Sequence, residues 1–249
     1  MCAVHPDRAA QRTCARCGRF TCAPCAGDRD HCPQCFTQVL KDLPSSAGRA
    51  QWAIRFLTLG VAVDAASFVI SAARVVAPGE SVARDLIEGF SGLGILVAYI
   101  GAVITFLRWE HLSVRQLRLL GIEIGVTPGW AVGWWFVPFA NLVRPFNAMR
   151  AILSGLGGEA AVAEARLSLW WTAWIISNVL SQIESRLALR NGLEGEPPAE
   201  SHVAGIFASI AGVAAALLCI GVVKTVQQHL DQRSGTAAPA SPLSAPPPI

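Results

Sequence analysis

The chain has 249 residues, of which 53% are hydrophobic and 15% are charged, and its formal net charge is +3. Soluble domains carry about 25% charged residues, so this composition excludes a disordered chain and a coiled coil and argues against a single soluble globule. The hydrophobic residues form long blocks after residue 50, whereas seven of the eight cysteines precede residue 36. We therefore expect two parts, a small metal-binding module followed by a helical membrane domain.

Residues 1–40 contain four pairs of potential metal ligands, and two residues separate the members of each pair. The pairs are Cys2 and His5, Cys14 and Cys17, Cys22 and Cys25, and Cys32 and Cys35. Such spacing lets a tight turn direct two ligands at one tetrahedral ion, so four pairs predict two Zn²⁺ sites. In a cross-brace, the first and third pairs bind one ion, and the second and fourth pairs bind the other. Sequential pairing is the alternative, and His31 could replace Cys32.

This ligand pattern resembles a B-box-type zinc finger, which also opens with Cys-x2-His, although here the last pair consists of cysteines instead of histidines. The resemblance covers residues 2–35 and implies a protein-interaction module. No signal-peptide pattern precedes the cysteines, so we expect the module in the reducing cytosol, where clustered cysteines bind metal more often than they form disulfides. Its arginines lack an aromatic stacking platform, so no nucleic-acid partner is expected.

After a polar linker at residues 41–50, four apolar stretches are long enough to cross a bilayer as helices. We place them at Trp52–Ala77, Leu86–Leu107, Leu167–Leu189 and Val203–Val223. The predicted fold class is an all-α membrane bundle over residues 51–228, with four spans plus a re-entrant or interfacial segment. A Pro/Ala-rich tail at residues 229–249 is expected to be disordered.

The re-entrant or interfacial segment is Trp130–Val143, between the second and third spans. As a helix it would be about 21 Å long, short of the roughly 30 Å hydrocarbon core, and prolines interrupt it. A fifth full span is the alternative. Just before it, the pattern of Leu112–Ile124 predicts an amphipathic helix on the membrane surface.

The distribution of basic residues predicts the topology. With both termini in the cytosol, fifteen of the 20 Lys and Arg residues lie on the cytosolic side and two lie in outer loops. This bias is typical of multi-pass proteins and favours a plasma-membrane protein in contact with lipids. The same topology predicts an aromatic belt at the cytosolic interface, formed by Trp52, Trp109, Trp170 and Trp171.

The sequence around the re-entrant segment also carries a family resemblance. Its features are Pro128-Gly129-Trp130, Trp134-Trp135, Pro138, Asn141 and Pro145, with Trp109 and Arg115 upstream. In these features the chain is similar to a bacterial membrane family, domain of unknown function 4328, over roughly residues 50–228. The resemblance implies a multi-span membrane protein and no established activity.

Polar residues inside the predicted spans are candidates for function. The first span places Gly60, Asp64, Ser67, Ser71 and Arg74 on one helix face. The third span carries a stripe of Trp174, Asn178, Ser181, Gln182 and Ser185. An ionisable residue at mid-membrane normally faces a bundle interior or a water-filled cavity. Asp64 therefore predicts either a proton- or ion-coupled transport site or a hydrogen bond to Asn178 that joins two helices.

Two further patterns lie in the spans. Ala204, Ala208, Gly212 and Ala216 recur every four residues, a close-packing face for a neighbouring helix or for a second copy in a homo-oligomer. Ser91, among glycines, and His202 are similar to the catalytic motifs of rhomboid intramembrane proteases. The number of spans and the shallow position of His202 argue against that function.

We therefore expect a non-enzymatic integral membrane protein whose cytosolic double-zinc module acts as a scaffold or sensor for an unidentified cytosolic protein. The alternative is an ion-coupled transporter that uses Asp64, and a rhomboid-like serine protease ranks third.

Overall fold

The computed structural model describes residues 1–26, 31–42, 46–77, 82–189 and 198–237. The N-terminal part contains two antiparallel strands and two helices: β1 (Arg12–Thr13), β2 (Phe20–Thr21), α1 (Ala23–Ala26) and α2 (Pro33–Asp42). The following part contains the helices α3 (Ser46–Val76), α4 (Val82–Leu119), α5 (Pro128–Gly133), α6 (Arg144–Glu164), α7 (Leu167–Ala188) and α8 (Ala199–Ala237). The predicted helical class is confirmed.

Three of these helices are long and apolar enough to cross a membrane: α3, the Gly89–Leu119 part of α4, and the Ala199–Ser234 part of α8. The helix predicted as the third span, α7, is not among them, because its polar residues lower its mean hydropathy. Three helices extend beyond the predicted boundaries, and α4 runs from Val82 to Leu119 instead of from Leu86 to Leu107. α3 begins within the stretch predicted as linker, and α8 continues to Ala237, into the stretch predicted as disordered; the rest of that stretch lies outside the described residues.

The four long helices run antiparallel to their neighbours in the order α4, α3, α8, α7. Glycines mark the contacts. Gly101 of α4 meets Phe56 of α3. Two turns earlier on α4, a Cβ on Gly94 would lie 3.6 Å from Val63. On the other side of α3, Gly205 and Gly212 of α8 meet side chains of α3. Because these helices lack side chains at the crossings, their backbones approach closely.

The buried core lies at one end of this row, where α3 and α7 begin and α4 and α8 end; we call this end the base of the bundle. Helix α6 covers it and contributes Met149, Ile152, Leu153 and Leu156, all fully buried. Across the core, Trp109 Nε1 of α4 donates to Gln227 Oε1 of α8 at 3.1 Å, and Gln227 Nε2 donates to Ser46 Oγ of α3 at 3.0 Å. The base is therefore packed like the interior of a soluble protein.

The prediction of a separate surface helix at Leu112–Ile124 is wrong. Residues up to Leu119 continue α4, and Leu112, Val114 and Leu117 are buried while Arg115 and Arg118 are exposed. The apolar face joins the core with α6 and α8 and does not lie on lipid. Amphipathic periodicity predicted the helix correctly but could not identify what covers its apolar face.

The segment between α4 and α6 is not a continuous helix. Thr127 Oγ1 accepts a hydrogen bond from Trp130 N and caps α5, which ends after six residues. Two 3₁₀ turns follow, Trp134–Phe136 and Ala140–Leu142, and Phe139 between them has a positive φ of 62°. A continuous fifth helix is therefore not formed here, because the prolines and the turn at Phe139 break the backbone hydrogen-bond ladder.

Candidate metal centres

The eight predicted ligands of the N-terminal part form two clusters. Cys2, His5, Cys22 and Cys25 make the first, and Cys14, Cys17, Cys32 and Cys35 make the second. Within each cluster, the ligand atoms all lie within 4.8 Å of one another, close enough for one tetrahedral ion. This is the interleaved pairing of a cross-brace and not the sequential alternative. His31 belongs to neither cluster among the described residues.

Short backbone turns position the ligands of the second cluster. Cys14 follows β1, and Gly18 reverses the chain with a φ of 70°. Cys14 N donates to Arg19 O at 2.9 Å, and Gly18 N donates to Cys14 O at 2.9 Å, so the turn is closed by backbone hydrogen bonds. Cys32 lies just before α2, and its N–H donates to Cys14 Sγ at 3.2 Å. The cluster therefore joins the strand turn to the start of α2.

The first cluster joins the N-terminus to the end of β2. Ala3 N donates to Phe20 O at 3.0 Å, which places the first ligand pair beside β2. His5 Nδ1 lies 3.2 Å from Cys25 Sγ, and Cys2 Sγ lies 3.9 Å from the same sulfur. The ligands thus come from segments about 20 residues apart, and a bound ion would cross-link them.

The thiols of each cluster have opposed acidities. Burial raises the pKa of Cys2, but backbone N–H groups at Val4, Cys22 and His5 outweigh it and lower that pKa to about 6. Burial likewise opposes ionisation of Cys14, and the backbone N–H groups of Cys32, Cys17 and Arg16 lower its pKa to about 6.

In the same clusters, other thiols resist ionisation. Burial and the neighbouring sulfurs of Cys22 and Cys2 raise the pKa of Cys25 to about 11. For Cys35, the sulfur of Cys17 and burial raise the pKa to about 12. Backbone hydrogen bonds favour ionisation of one thiol in each cluster. The negative charge of that thiolate then opposes ionisation of the neighbouring thiols. A divalent cation at the centre removes this repulsion, so the residues fit a metal ion.

The module has almost no apolar core of its own. Among its described residues, Phe36 is the one buried hydrophobic side chain besides Cys2, Cys14, Cys22 and Cys32. The second cluster is the more open, because Cys17 is exposed. α2 connects the module to the membrane domain and contacts α4.

The polar residues of the spans are arranged differently from the prediction. Asp64 does not bond to Asn178; its carboxylate faces α8, where a Cβ on Gly212 would lie 2.6 Å from Asp64 Oδ2. Two turns along α8, a Cβ on Gly205 would lie 2.7 Å from Glu184 Oε1 of α7 and 3.0 Å from Ser71 Oγ. Glu184 was not singled out in the sequence, because it lies one residue away from the polar stripe of α7.

The other predicted features of the spans have intramolecular partners. Gly212 and Ala208 of the small-residue stripe pack inside the bundle. Ser91 Oγ lies 3.1 Å from Ser67 Oγ of α3, and no hydrogen bond joins Ser91 to His202 in the described part of the chain. The described part of the chain therefore shows no hydrogen-bonded serine–histidine pair for the protease hypothesis.

An aromatic cluster at the base holds the Trp/Pro segment against the bundle. Trp135 Nε1 donates to Glu110 Oε2 at 2.9 Å, and Trp171 Nε1 donates to Leu142 O at 3.0 Å. The Trp135 ring packs edge-on against Phe106 and Trp174. Glu110 is fully buried, and the sequence analysis did not single it out. Its position between Trp109 and His111 could have identified it as a candidate.

The predicted aromatic belt is wrong for three of its four members. Trp109, Trp170 and Trp171 are buried, and Trp52 alone is exposed. Interfacial and core tryptophans share the same amphipathic ring, so residue type does not distinguish them.

Comparison with known families gives one finding. Residues 72–228 match the family model described as Domain of unknown function (DUF4328). The match begins near the end of α3, later than the predicted residue 50, and ends in α8 where predicted; the two ligand clusters lie outside it. No curated protein and no solved structure matches the chain. From its α4–α8 region, which carries the aromatic cluster, the chain belongs to the DUF4328 family.

Proposed function

We propose that this protein is an integral membrane scaffold or sensor, in which a double-zinc module recruits a cytosolic protein to the base of a four-span bundle. The observation that carries the proposal is the pair of complete four-ligand clusters, joined through α2 to a helical membrane domain. The module resembles a B-box, which is a protein-interaction module, so the proposed partner is a protein.

The fourth span in this proposal is α7. It packs antiparallel along α8, itself a candidate span, and its 22 residues give a helix of about 33 Å. This length matches a hydrocarbon core of roughly 30 Å. Four alternating spans place both ends of the membrane domain at the base, on the side that carries most of the Lys and Arg residues.

The Trp/Pro segment is the interfacial element in this arrangement. While Trp135 is held inside, Phe136, Phe139, Leu142 and Val143 are exposed. Arg144 stacks on Trp134 with its guanidinium 5.1 Å from the ring centroid. Apolar side chains beside an aromatic–cation pair suit the boundary between acyl chains and headgroups.

Zn²⁺ is the metal that the ligands favour. Seven thiols and one imidazole form two tetrahedral sets, one with three sulfurs and a nitrogen and one with four sulfurs. Bound zinc would stabilise the thiolates, and the backbone N–H groups directed at the Cys2 and Cys14 sulfurs stabilise the same negative charge.

Metal content of the purified full chain tests the first half of the proposal. We expect two zinc ions per chain by elemental analysis of protein purified in mild detergent under reducing conditions. Cys22→Ser should lower the content, whereas Cys219→Ser, a matched change of a buried cysteine in α8, should leave it at two. A folded module that contains no metal would contradict the assignment.

Affinity capture tests the scaffold. A cytosolic protein should co-purify with the full chain and with Cys219→Ser but should be lost with Cys22→Ser and after deletion of residues 1–40. Retention by the deletion variant would move the binding site to the membrane domain.

Thiol labelling tests the topology. An impermeant maleimide on intact cells should label Glu200→Cys, at the outer end of α8, and should not label Ala160→Cys in α6; both side chains are exposed. Labelling at Ala160 would place the base outside the cell.

A second candidate function is ion-coupled transport, and the observation that favours it is the pair of carboxylates directed into the bundle against Gly212 and Gly205. Such groups commonly serve proton or cation pathways in membranes. Asp64→Asn would then abolish a pH-dependent flux in liposomes, whereas a scaffold shows no flux with either protein.

A further inference from the structure

The outer side of α7 carries a polar strip that no other part of the described chain covers. Asn178, Ser181, Gln182 and Ser185 are all exposed, and their spacing places them along one side of the helix. We call these four residues the α7 flank. The sequence analysis predicted that this strip would face Asp64, but Asp64 faces α8.

The hydrogen-bonding capacity of the flank is used only in part. Asn178 Nδ2 donates to Trp174 O at 2.7 Å, and Ser185 Oγ donates to Ser181 O at 2.8 Å, both within α7. The Asn178 carbonyl oxygen and the Gln182 amide have no partner among the described residues. Within a bilayer, an amide group without a partner is unfavourable because no water replaces the missing hydrogen bond, so polar contacts from elsewhere would stabilise the flank.

Near the base, the adjoining part of α7 is already covered. Trp171 and Trp174 lie under the Trp/Pro segment, in contact with Trp135. The cover ends there, because the segment turns back at Phe139 and enters α6. The next turns of α7, which carry the flank, lie at the edge of the helix row, since α8 packs on their other side.

We propose that the α7 flank is the contact between two copies of this chain. A carboxamide both donates and accepts, so Asn178 and Gln182 are complementary to themselves. Copies inserted in the same direction and related by a two-fold axis along the membrane normal place identical residues at the same depth. Each amide then meets its own counterpart in a parallel α7–α7 pair.

The serines of the flank permit the required approach. Ser181 and Ser185 are four residues apart, the small-xxx-small spacing that lets membrane helices pack closely. Close packing brings the amides of the two helices within hydrogen-bonding distance. Small residues and amides on the same strip thus support the same contact. This inference rests on the proposed membrane-spanning position of α7.

The mass of the full chain in lipid nanodiscs tests the inference. Native mass spectrometry should show two copies of the 26.4 kDa chain for the natural sequence. The double variant Asn178→Leu/Gln182→Leu should weaken the dimer about tenfold or more. Leucine suits both lipid and helix, so the variant should keep its zinc content and its helical content. Thr172→Leu, an exposed polar residue on another side of α7, is the matched control and should remain dimeric.

Two results would overturn the inference: a monomeric natural chain, or a double variant that dimerises as well as the natural chain. A photo-crosslinking amino acid at Ser185 should give a product with the mass of two chains, and the same group at exposed Ile176 should not. A Ser185 product with any other mass would contradict the inference and would identify another membrane protein as the partner. An error in the proposed topology would be recognised separately. It would change the thiol labelling at Ala160→Cys and Glu200→Cys, whatever oligomer mass is measured.

Discussion

The metal module and the membrane domain illustrate two ways of stabilising a fold. In the module, four cysteines and Phe36 are the buried hydrophobic side chains of the described residues, and the strands are two residues long. In the membrane domain, a continuous core of α4, α6, α7 and α8 side chains fills the base. Chains as short as the module cannot bury enough apolar surface to offset their conformational entropy, so we expect a bound metal to supply the difference.

The membrane domain itself contains a second contrast. At the base, aliphatic and aromatic side chains are covered by protein, whereas along the outer half of α4 large apolar residues such as Phe90 and Leu93 are exposed. A bilayer covers the second set, so no further helix is needed there. Predictions can therefore address metal, protein core and lipid-facing surface separately.

The largest expected effect comes from removing metal. A strong chelator should unfold the module and leave the bundle intact, because bound zinc accounts for most of the folding free energy of such modules. Hydrogen exchange should show loss of protection at β1, β2 and α2, with α6 unchanged. Strands that stay protected after complete removal of metal would show that the module folds by packing alone.

The next effect separates protein core from lipid contact with one residue type. Leu153→Ala, at a site with 0% exposure, should lower the free energy of unfolding by about 2–5 kcal/mol because it leaves a cavity. Leu93→Ala, at a site with 57% exposure, should change it by less than about 1 kcal/mol. Thermal or denaturant unfolding in lipid nanodiscs measures both; equal losses would mean that Leu93 is covered by protein.

A smaller effect tests the glycine contacts of α8. Gly212→Ala should destabilise the bundle by about 1–3 kcal/mol, because the new Cβ would lie 2.6 Å from Asp64 Oδ2. Gly221→Ala is the control on the same helix, since nothing lies within 4 Å of its Cβ position, and alanine there should be neutral or slightly stabilising. If both changes are neutral in the same unfolding assay, the carboxylate of Asp64 moves freely away from α8.

The smallest effect distinguishes the two clusters of the module. Under limiting alkylation of the zinc-loaded protein, Cys17 should react before Cys2 and Cys22, since Cys17 is exposed and the other two are buried. Peptide mapping by mass spectrometry gives the order of modification. Faster reaction at Cys2 would indicate that the first cluster opens more readily.

Local patterns in the sequence were sufficient for several features. The two-residue gaps identified all eight residues of the two clusters, because two side chains on one tight turn are a property of a few consecutive residues. Long apolar stretches located α3, α4 and α8 for the same reason, since helix length and hydropathy are summed along one segment. The broken Trp130–Val143 segment followed from its prolines.

The tertiary structure decided which side of each helix is covered. Trp109, Trp170 and Trp171 were expected at a lipid interface and are buried, because α6 and the Trp/Pro segment pack over the base. Asp64 and Asn178 were expected to meet, but Asp64 faces Gly212 while Asn178 is exposed. Helical periodicity fixes which residues share a face, whereas the direction of that face depends on neighbours distant in sequence. Cross-brace pairing was likewise left open by the spacing, and the contact of Cys32, at the start of α2, with Cys14 after β1 decides it.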